Sequence, residues 1–247
     1  RFMKSDLFFL LLIVLFAFVI RLYKINTPLA DWHSWRQADT SMVSRNYIKH
    51  GINILYPTYD DLSNIASGKD NPRGLRFVEF PVFNIAHTLI DKIIVGYDIE
   101  LKGRLTNVLA SLLSLSFIFL LVRKYSGRPV AILTAIYFAI LPFNIFFNRV
   151  ILPEPFLVTS SLAMIYFFDR GSYVLAFIFA VLALLIKPFA VFLFLPLIYL
   201  WFRHHKFNLK SILLLIVYLS FSLMPLLIWR WWAGHYPEGV PANLWLL

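Results

Sequence analysis

The sequence predicts an all-α, polytopic membrane protein with about seven transmembrane helices. The chain of 247 residues is 60% hydrophobic and has a mean hydropathy of +0.73, which exceeds the apolar share of an ordinary soluble domain. Apolar runs alternate with short links, several of which carry Lys or Arg. One long polar segment, residues 24–79, follows the first apolar run. These observations indicate a helical membrane core with a large loop outside the bilayer.

The charge and the absent cysteines exclude two other classes of protein. The formal net charge is +10, but the basic residues are dispersed among apolar runs instead of forming one stripe, so we expect no nucleic-acid partner. The sequence contains no cysteine. Disulfide frameworks and thiolate chemistry are therefore excluded. Phosphate-cradling glycine loops, dinucleotide fingerprints and serine-nucleophile motifs are also absent from the sequence.

The first apolar run, Leu7–Tyr23, is predicted to be an uncleaved anchor. Basic residues flank it on both sides, and no convincing small-residue cleavage site follows it. The outer loop of residues 24–79 comes next. Within it we expect a short helix at Ala38–Lys49 and irregular structure at Thr58–Arg76, where Asp, Ser, Asn and Gly accumulate.

Residues 80–94 are predicted to form an amphipathic helix in the membrane interface. Polar residues that include Asn84, His87 and Asp91 recur on one face, and aliphatic residues occupy the other. Burying the acidic and basic side chains in hydrocarbon would be costly, which favours an interfacial position over a membrane span. The alternative is a short helix packed on the outer loop.

Six further apolar runs complete the predicted membrane core. They are Leu105–Val122, Pro129–Phe147, Pro155–Phe168, Ser172–Ile186, Pro188–Phe202 and Ser211–Trp229.

Basic residues in the short links predict the orientation of these spans. If residues 80–94 do not cross the membrane, four basic segments fall on the same side of it. They are Arg1 with Lys4, the link of residues 123–128, Arg170 and the link of residues 203–210. The positive-inside rule places that side in the cytoplasm. The loop of residues 24–79, the link of residues 148–154, Lys187 and the C-terminal tail then face the periplasm or cell exterior. Residues 172–202 could instead form one helix kinked at Pro188, but it would be about 46 Å long, so two spans fit better.

The ten residues Asp31–Thr40 concentrate polar chemistry in an otherwise apolar chain. Carboxylates that meet cations at a membrane surface can activate a hydroxyl group and hold a phosphate. The candidate catalytic acids are Asp31, Asp39 and Glu79. The candidate substrate- or phosphate-binding residues are His33, Arg36, Gln37, Arg149, Glu154, Lys187, His235, Tyr236 and Glu238.

Several of these residues also have ordinary structural explanations. Trp32 and Trp35 could be interfacial belt aromatics, and Arg36 with Asp39 could form a local ion pair. Arg149 and Lys187 could extend from helix ends towards water, while Glu154 between two prolines could simply begin a helix. The pair Asp31 and His33 is a sparse metal motif. We therefore assign no metal ligand and no certain cofactor, and a divalent metal stays open.

A family resemblance rests on the outer loop. Three segments resemble the first outer loop of GT-C glycosyltransferases: Asp31–Thr40, Ser44–Tyr47 and Glu79-Phe-Pro81. The resemblance is to the family of bacterial protein O-mannosyltransferases and lipid A aminoarabinose transferases in particular. Arg104, the link of residues 123–128 and Asn148–Glu154 are also similar to that group. The resemblance implies a GT-C helical core formed by residues 1–247 as one module, with residues 24–96 as the catalytic loop.

The resemblance also implies an inverting glycosyltransferase in the cell membrane. Its donor would be a polyprenyl-phosphate-linked sugar, and its acceptor a lipid, glycan or protein. Asp31 would be the catalytic base, with Asp39 in reserve. Relatives often carry Lys after the acid that Glu79 resembles, whereas Phe80 stands here, so Arg149 or Lys187 would have to hold the phosphate. Relatives usually continue with more spans, so the resemblance leaves it open whether this chain is a fragment of a longer protein. The rival hypotheses are a transporter of a polyprenyl-linked sugar and a non-catalytic membrane scaffold.

Overall fold

A computed structural model describes residues 4–242 of the protein. Over this range the chain is helical, and its only β-type pairing is an isolated bridge between Thr58 and Leu75. The predicted all-α class is confirmed. Arg1, which contributed to the predicted orientation, lies outside the described residues.

Ten α-helices occur within residues 4–242. They are α1 (Lys4–Arg21), α2 (Ser34–His50), α3 (Val82–Ile93), α4 (Ile99–Ser126), α5 (Arg128–Ile140), α6 (Pro142–Phe147), α7 (Glu154–Asp169), α8 (Tyr173–Ile186), α9 (Phe194–His204) and α10 (Leu209–Gly234). Short 3-10 helices cover Pro188–Leu193 and Pro237–Gly239.

The seven predicted spans are not established by the lengths of these helices. Two helices, α4 and α10, are long and apolar enough to cross a membrane unaided. The apolar helices α5 and α8 and the segment Pro188–His204 are shorter. The predicted span at Pro129–Phe147 is interrupted, because Leu141 adopts an extended conformation ahead of Pro142, as residues before proline usually do. The seven-span arrangement therefore stays a prediction.

The predicted outer loop contains the expected elements. Helix α2 covers the predicted short helix but begins earlier, within the polar stretch, at Ser34. Residues 58–76 are irregular apart from the Thr58–Leu75 bridge. On α3, Asn84, His87 and Thr88 are buried against the protein, whereas Leu89 and Ile93 are exposed. This outward apolar face fits an interfacial helix.

Two large hydrophobic clusters, joined by α4 and α7, form the core of the bundle, and a small third cluster lies between α2 and the loop at Tyr59. One cluster unites α1, α4 and α5, and the other unites α7 to α10 with loop residues Leu75 and Phe77. Fully buried alanines on α5 and α8, such as Ala135 and Ala180, allow close helix packing.

Helices α4 and α7 run parallel to each other. Near their beginnings, the Asn107 side-chain amide donates to the backbone oxygen of Leu152, 2.8 Å away. In the middle, the hydroxyls of Ser114 and Thr159 lie 2.8 Å apart. Near their ends, Lys124 Nζ lies 2.5 Å from an Asp169 carboxylate oxygen. The pair thus connects the outer-loop end of the bundle to its opposite end.

Candidate active site

Four charged side chains from four parts of the chain meet at the outer-loop end, and we call them the charged cluster: Arg36, Glu79, Glu154 and Lys187. Arg36 reaches the Glu79 carboxylate from the first turn of α2, at 2.5 Å. Lys187, in the extended break after α8, donates to Glu79 Oε1 at 2.7 Å and lies 3.5 Å from Glu154. The backbone N–H of Phe80 donates to Leu185 oxygen. This bond fastens the Glu79 segment to the end of α8.

Glu79 is fully engaged by its two cations. Burial disfavours its charged form, but Arg36 and Lys187 outweigh burial and hold the pKa of Glu79 below its usual range. A carboxylate that is buried, ionised and bonded on both oxygens is a poor base for an external proton. Its position between two cations suits a different role, which is to hold Arg36 and Lys187 in place.

Asp31 lies in a second cluster beside the first. Its Oδ1 accepts a 2.6 Å hydrogen bond from the Gln37 amide, and its Oδ2 lies 3.6 Å from the buried guanidinium of Arg104. That Oδ2 is buried and has no hydrogen-bond donor. Among residues 4–242, buried carboxylate oxygens without a donor belong to Asp31 and to Glu154, whose Oε2 is in the same state. Both acids therefore retain capacity to accept a proton.

Gln37 and Arg149 are buried to an extent that the sequence did not indicate. Gln37 is completely inaccessible, and its side chain joins Asp31 to the backbone N–H of Ile151, 3.1 Å away. This position argues against the predicted substrate contact and for a positioning role. Arg149 is only 6% exposed and donates to the backbone oxygen of Lys24 at 2.6 Å. It does not extend freely towards water.

Asp39 does not form the local ion pair with Arg36 that its spacing suggested. Its carboxylate instead lies 2.6 Å from the Arg76 guanidinium, which also stacks over the Tyr59 ring. Burial raises the pKa of Asp39 against the opposing effect of Arg76. Arg36 instead pairs with Glu79, whose side chain is more buried than that of Asp39.

A groove of about 560 Å³ opens next to the charged cluster. Its polar part consists of the ionisable residues His33, Arg36 and Glu154 together with Asn144 and Asn148. Its apolar wall comes mainly from α5, α6 and α7 and includes Phe138, Phe143, Phe147, Leu152, Leu157 and Val158. His33 adopts a left-handed backbone conformation just before α2, and its ring lies 6.3 Å from that of Phe147. The groove can therefore accept a molecule with an anionic head and a long apolar tail.

The predicted residues after the last helix form a separate group. Glu238 pairs with Arg73 at 2.7 Å, and the Tyr236 hydroxyl lies 3.1 Å from that of Tyr56. His235 contacts the carbonyl of its own helix at Trp231. These residues hold the tail against the outer loop, with the Phe77 N–H bonded to Gly239 oxygen. No contact joins them to the charged cluster within the part of the chain that the structure describes.

The sparse metal motif of Asp31 and His33 gains no third ligand within residues 4–242, which contain no group of three His, Asp or Glu side chains placed to hold a metal ion. Trp32 and Trp35 are 68% and 64% exposed, as interfacial aromatics would be.

Sequence reasoning missed three contributions to this site. Arg104 was noted only for its family resemblance, yet it contacts the Asp31 region through Thr27 Oγ1 and the Lys24 oxygen, at 2.7 and 3.1 Å. A charged residue directly before a long apolar run was the signal that could have identified it. Arg76 as the partner of Asp39 and the aromatic wall of the groove depend on tertiary packing and left no local signal.

Comparisons with known proteins give one family match. No curated protein and no solved structure matches the chain. The family model described as dolichyl-phosphate-mannose-protein mannosyltransferase matches residues 80–229, which is more than half of the chain. The match includes Arg104, Arg149, Glu154 and Lys187, and it begins one residue after Glu79. It confirms the resemblance to protein O-mannosyltransferases, and the chain belongs to the dolichyl-phosphate-mannose-protein mannosyltransferase family.

Proposed function

We propose that the protein is a membrane glycosyltransferase that moves a sugar from a polyprenyl-phosphate carrier to a hydroxyl or amine acceptor, with inversion at the anomeric carbon. The acceptor would belong to a lipid, a glycan or a protein. The observation that carries the proposal is a pair of acids, Asp31 and Glu154, that each keep an unbonded carboxylate oxygen beside a cation. Glu154 lines the amphipathic groove, and Asp31 lies two residues before His33, which also lines it.

The groove supports a lipid-linked donor. Its aromatic and aliphatic wall suits the polyprenyl chain, and its polar part contains Arg36 and Glu154. Lys187 lies next to both carboxylates of the charged cluster. Arg36 and Lys187 are therefore our candidates for holding the donor phosphate, since cations placed at a departing phosphate stabilise its developing charge. Arg149 is a weaker candidate because it is buried and bonded to a backbone oxygen.

Asp31 is the proposed base. The acceptor oxygen or nitrogen attacks the anomeric carbon, and its proton passes to the Asp31 carboxylate. The bond between the anomeric carbon and the phosphate oxygen breaks, and the polyprenyl phosphate leaves with the electron pair. Gln37 and Arg104 orient Asp31 from its two sides. Asp39 is disfavoured because Arg76 already engages its carboxylate.

The predicted orientation agrees with how charges are distributed along the bundle. The charged cluster and Asp31 lie at the end where α4 and α7 begin. Basic residues from the predicted cytoplasmic links gather where these helices end. There, Arg123 and Arg128 bond Asp6, and Arg203 stacks over Tyr125. We call this the basic end and propose that it faces the cytoplasm, so that transfer occurs at the outer face of the cell membrane.

The transporter hypothesis gains no support from the middle of the bundle. Polar side chains there bond to each other or to their own helices. Ser111 donates to the Val108 oxygen, and Ser114 contacts Thr159. Such bonded hydroxyls form no polar path across the bundle.

The test is sugar transfer by the purified protein from polyprenyl-phosphate-mannose, the donor type suggested by the family description. The acceptors are membrane lipids and proteins. We expect Asp31→Asn to reduce the rate by about 10²- to 10⁴-fold, the usual contribution of a general base. The matched control is Asp70→Asn, which alters an exposed loop carboxylate and should leave the rate unchanged. Undiminished transfer by Asp31→Asn would remove Asp31 from the mechanism.

A further inference from the structure

A second cavity lies at the basic end, far from the groove. Its volume is about 630 Å³, and it opens between the ends of α4 and α7. Its lining consists of Leu120, Leu121, Arg123, Lys124, Tyr166, Asp169 and Arg170. Lys124 follows Arg104 by twenty residues of one helix, which corresponds to about 30 Å along its axis. The cavity therefore cannot belong to the donor site.

The lining carries an excess of positive charge. Three of its side chains are cations and one is an acid. That acid, Asp169, is already bonded to Lys124 Nζ and the Tyr125 hydroxyl, both at 2.5 Å. Arg123 is directed to Asp6, at 3.0 Å.

Arg170 is the cation available to a ligand. It directly follows α7, is exposed and donates to the Tyr166 hydroxyl of that helix. No acid partner of Arg170 is found among residues 4–242. The cavity thus presents an arginine and a lysine whose combined charge is only partly neutralised.

The position of the cavity indicates where its ligand comes from. Helix α4 is long and apolar enough to cross a membrane, and two of the cations, Arg123 and Lys124, lie in its last turn. Leu120 and Leu121 lie one turn further into the apolar part of the helix. A ligand here meets cations at the bilayer boundary and aliphatic side chains beneath them, which is the arrangement of a phospholipid with its headgroup at the surface.

We propose that this cavity binds the phosphate headgroup of an anionic phospholipid in the membrane leaflet opposite the groove. Arg170 and Lys124 donate to the phosphate, and the acyl chains pass over Leu120 and Leu121. The proposal depends on α4 crossing the membrane and not on glycosyl transfer, so it can fail or succeed independently of the proposed activity.

Native mass spectrometry of the purified protein, titrated separately with phosphatidylglycerol and phosphatidylcholine, tests the proposal. We expect selective retention of phosphatidylglycerol. Arg170→Gln should weaken that retention by about fivefold, the effect typical of one basic residue at an anionic surface, whereas Arg170→Lys should preserve it. The matched control is Lys210→Gln, which removes an exposed cation outside the cavity and should have no effect.

Equal retention of phosphatidylcholine by the unaltered protein would overturn the proposal without any substitution, so the test does not depend on the folding of a variant. Unchanged binding in a folded Arg170→Gln protein would overturn it as well. Equally strong competition by soluble glycerol phosphate would replace the lipid with a water-soluble phosphate ligand and would also contradict the proposal.

Discussion

The two ends of the bundle both combine buried carboxylates with cations, but they differ in how completely the carboxylates are bonded. At the basic end, Asp169 accepts from a lysine and a tyrosine, and Asp6 accepts from two arginines. At the outer-loop end, Glu79 is equally satisfied, yet Asp31 and Glu154 each keep a buried oxygen without a donor. Unbonded buried acceptors are costly. Among residues 4–242, the buried carboxylate oxygens in this state belong to these two acids, so the outer-loop end, unlike the basic end, keeps acids whose bonding is incomplete.

Removal of Glu79 should have the largest effect on stability. Glu79→Ala leaves Arg36 and Lys187 without their shared acid, and a broken buried ion pair costs about 3–5 kcal/mol. Thermal unfolding in detergent should show a large drop in Tm. Glu238→Ala is the matched control. It breaks the more exposed pair with Arg73 and should cost less than about 1 kcal/mol. Similar losses in the two variants would contradict the difference in burial.

His87 should make the outer-loop end sensitive to mild acid. Burial lowers the pKa of His87 from 6.5 to about 4, against the smaller opposing effects of the Ile99 oxygen and Asp91. Because the unfolded chain binds the proton first, stability should fall from about pH 6.5 to about pH 4, by about 3 kcal/mol in total. The measurement is Tm as a function of pH. The fall of Tm towards acid pH should disappear in His87→Gln and persist in His50→Gln, which alters an exposed histidine. An identical slope in both variants would exclude His87 as the cause.

Substitutions of Glu154 and Asp169 compare how the two ends of the bundle contribute to the transfer rate. Glu154→Gln should lower the transfer rate by about a hundredfold, the scale of a misplaced reactant, with little change in Tm. Asp169→Asn should lower Tm but keep the rate per folded molecule within about twofold. The opposite pattern would move the chemistry to the basic end.

Gln37 should show a smaller effect that reports on the geometry of Asp31. Gln37→Met removes the bond to Asp31 Oδ1, and we expect kcat to fall about tenfold with KM nearly unchanged. Gln37→Glu replaces the amide donor beside Asp31 Oδ1 with a second carboxylate, and kcat should fall at least as far as in Gln37→Met. A purely structural role would lower Tm in both variants and leave kcat per folded molecule unchanged.

Much of the fold could be predicted from the sequence because its main signals are local. Apolar runs and their flanking charges located most helices, and amphipathic spacing identified α3 with its buried and exposed faces. The helix break at Leu141-Pro142 was not anticipated, although proline chemistry accounts for it. The number of membrane spans is not decided by helix lengths, since α5 and α8 are short.

The sequence identified the residues that form the charged cluster, but not which of these side chains pair with each other. Arg36, Glu79, Glu154 and Lys187 were all candidates, and the structure brings them together. Their roles could not be derived from spacing, because Arg36 and Asp39 find partners about forty residues away in the chain. Burial of Gln37 and Arg149 also depends on the link of residues 148–154 packing against α2 and the Lys24 region.

The backbone oxygen of Lys24 receives hydrogen bonds from both Arg104 and Arg149. Lys24 adopts a left-handed conformation, with φ of 54°. The anchor point between the first helix and the loop of residues 24–79 is therefore a feature of the main chain that no side-chain substitution can delete. Position 24 should tolerate glycine or asparagine and resist β-branched residues, which disfavour positive φ. Substitution at position 24 would be restricted by the positive φ that the residue must adopt. Substitution at Arg104 and Arg149 would be restricted by the need for a side chain that donates hydrogen bonds.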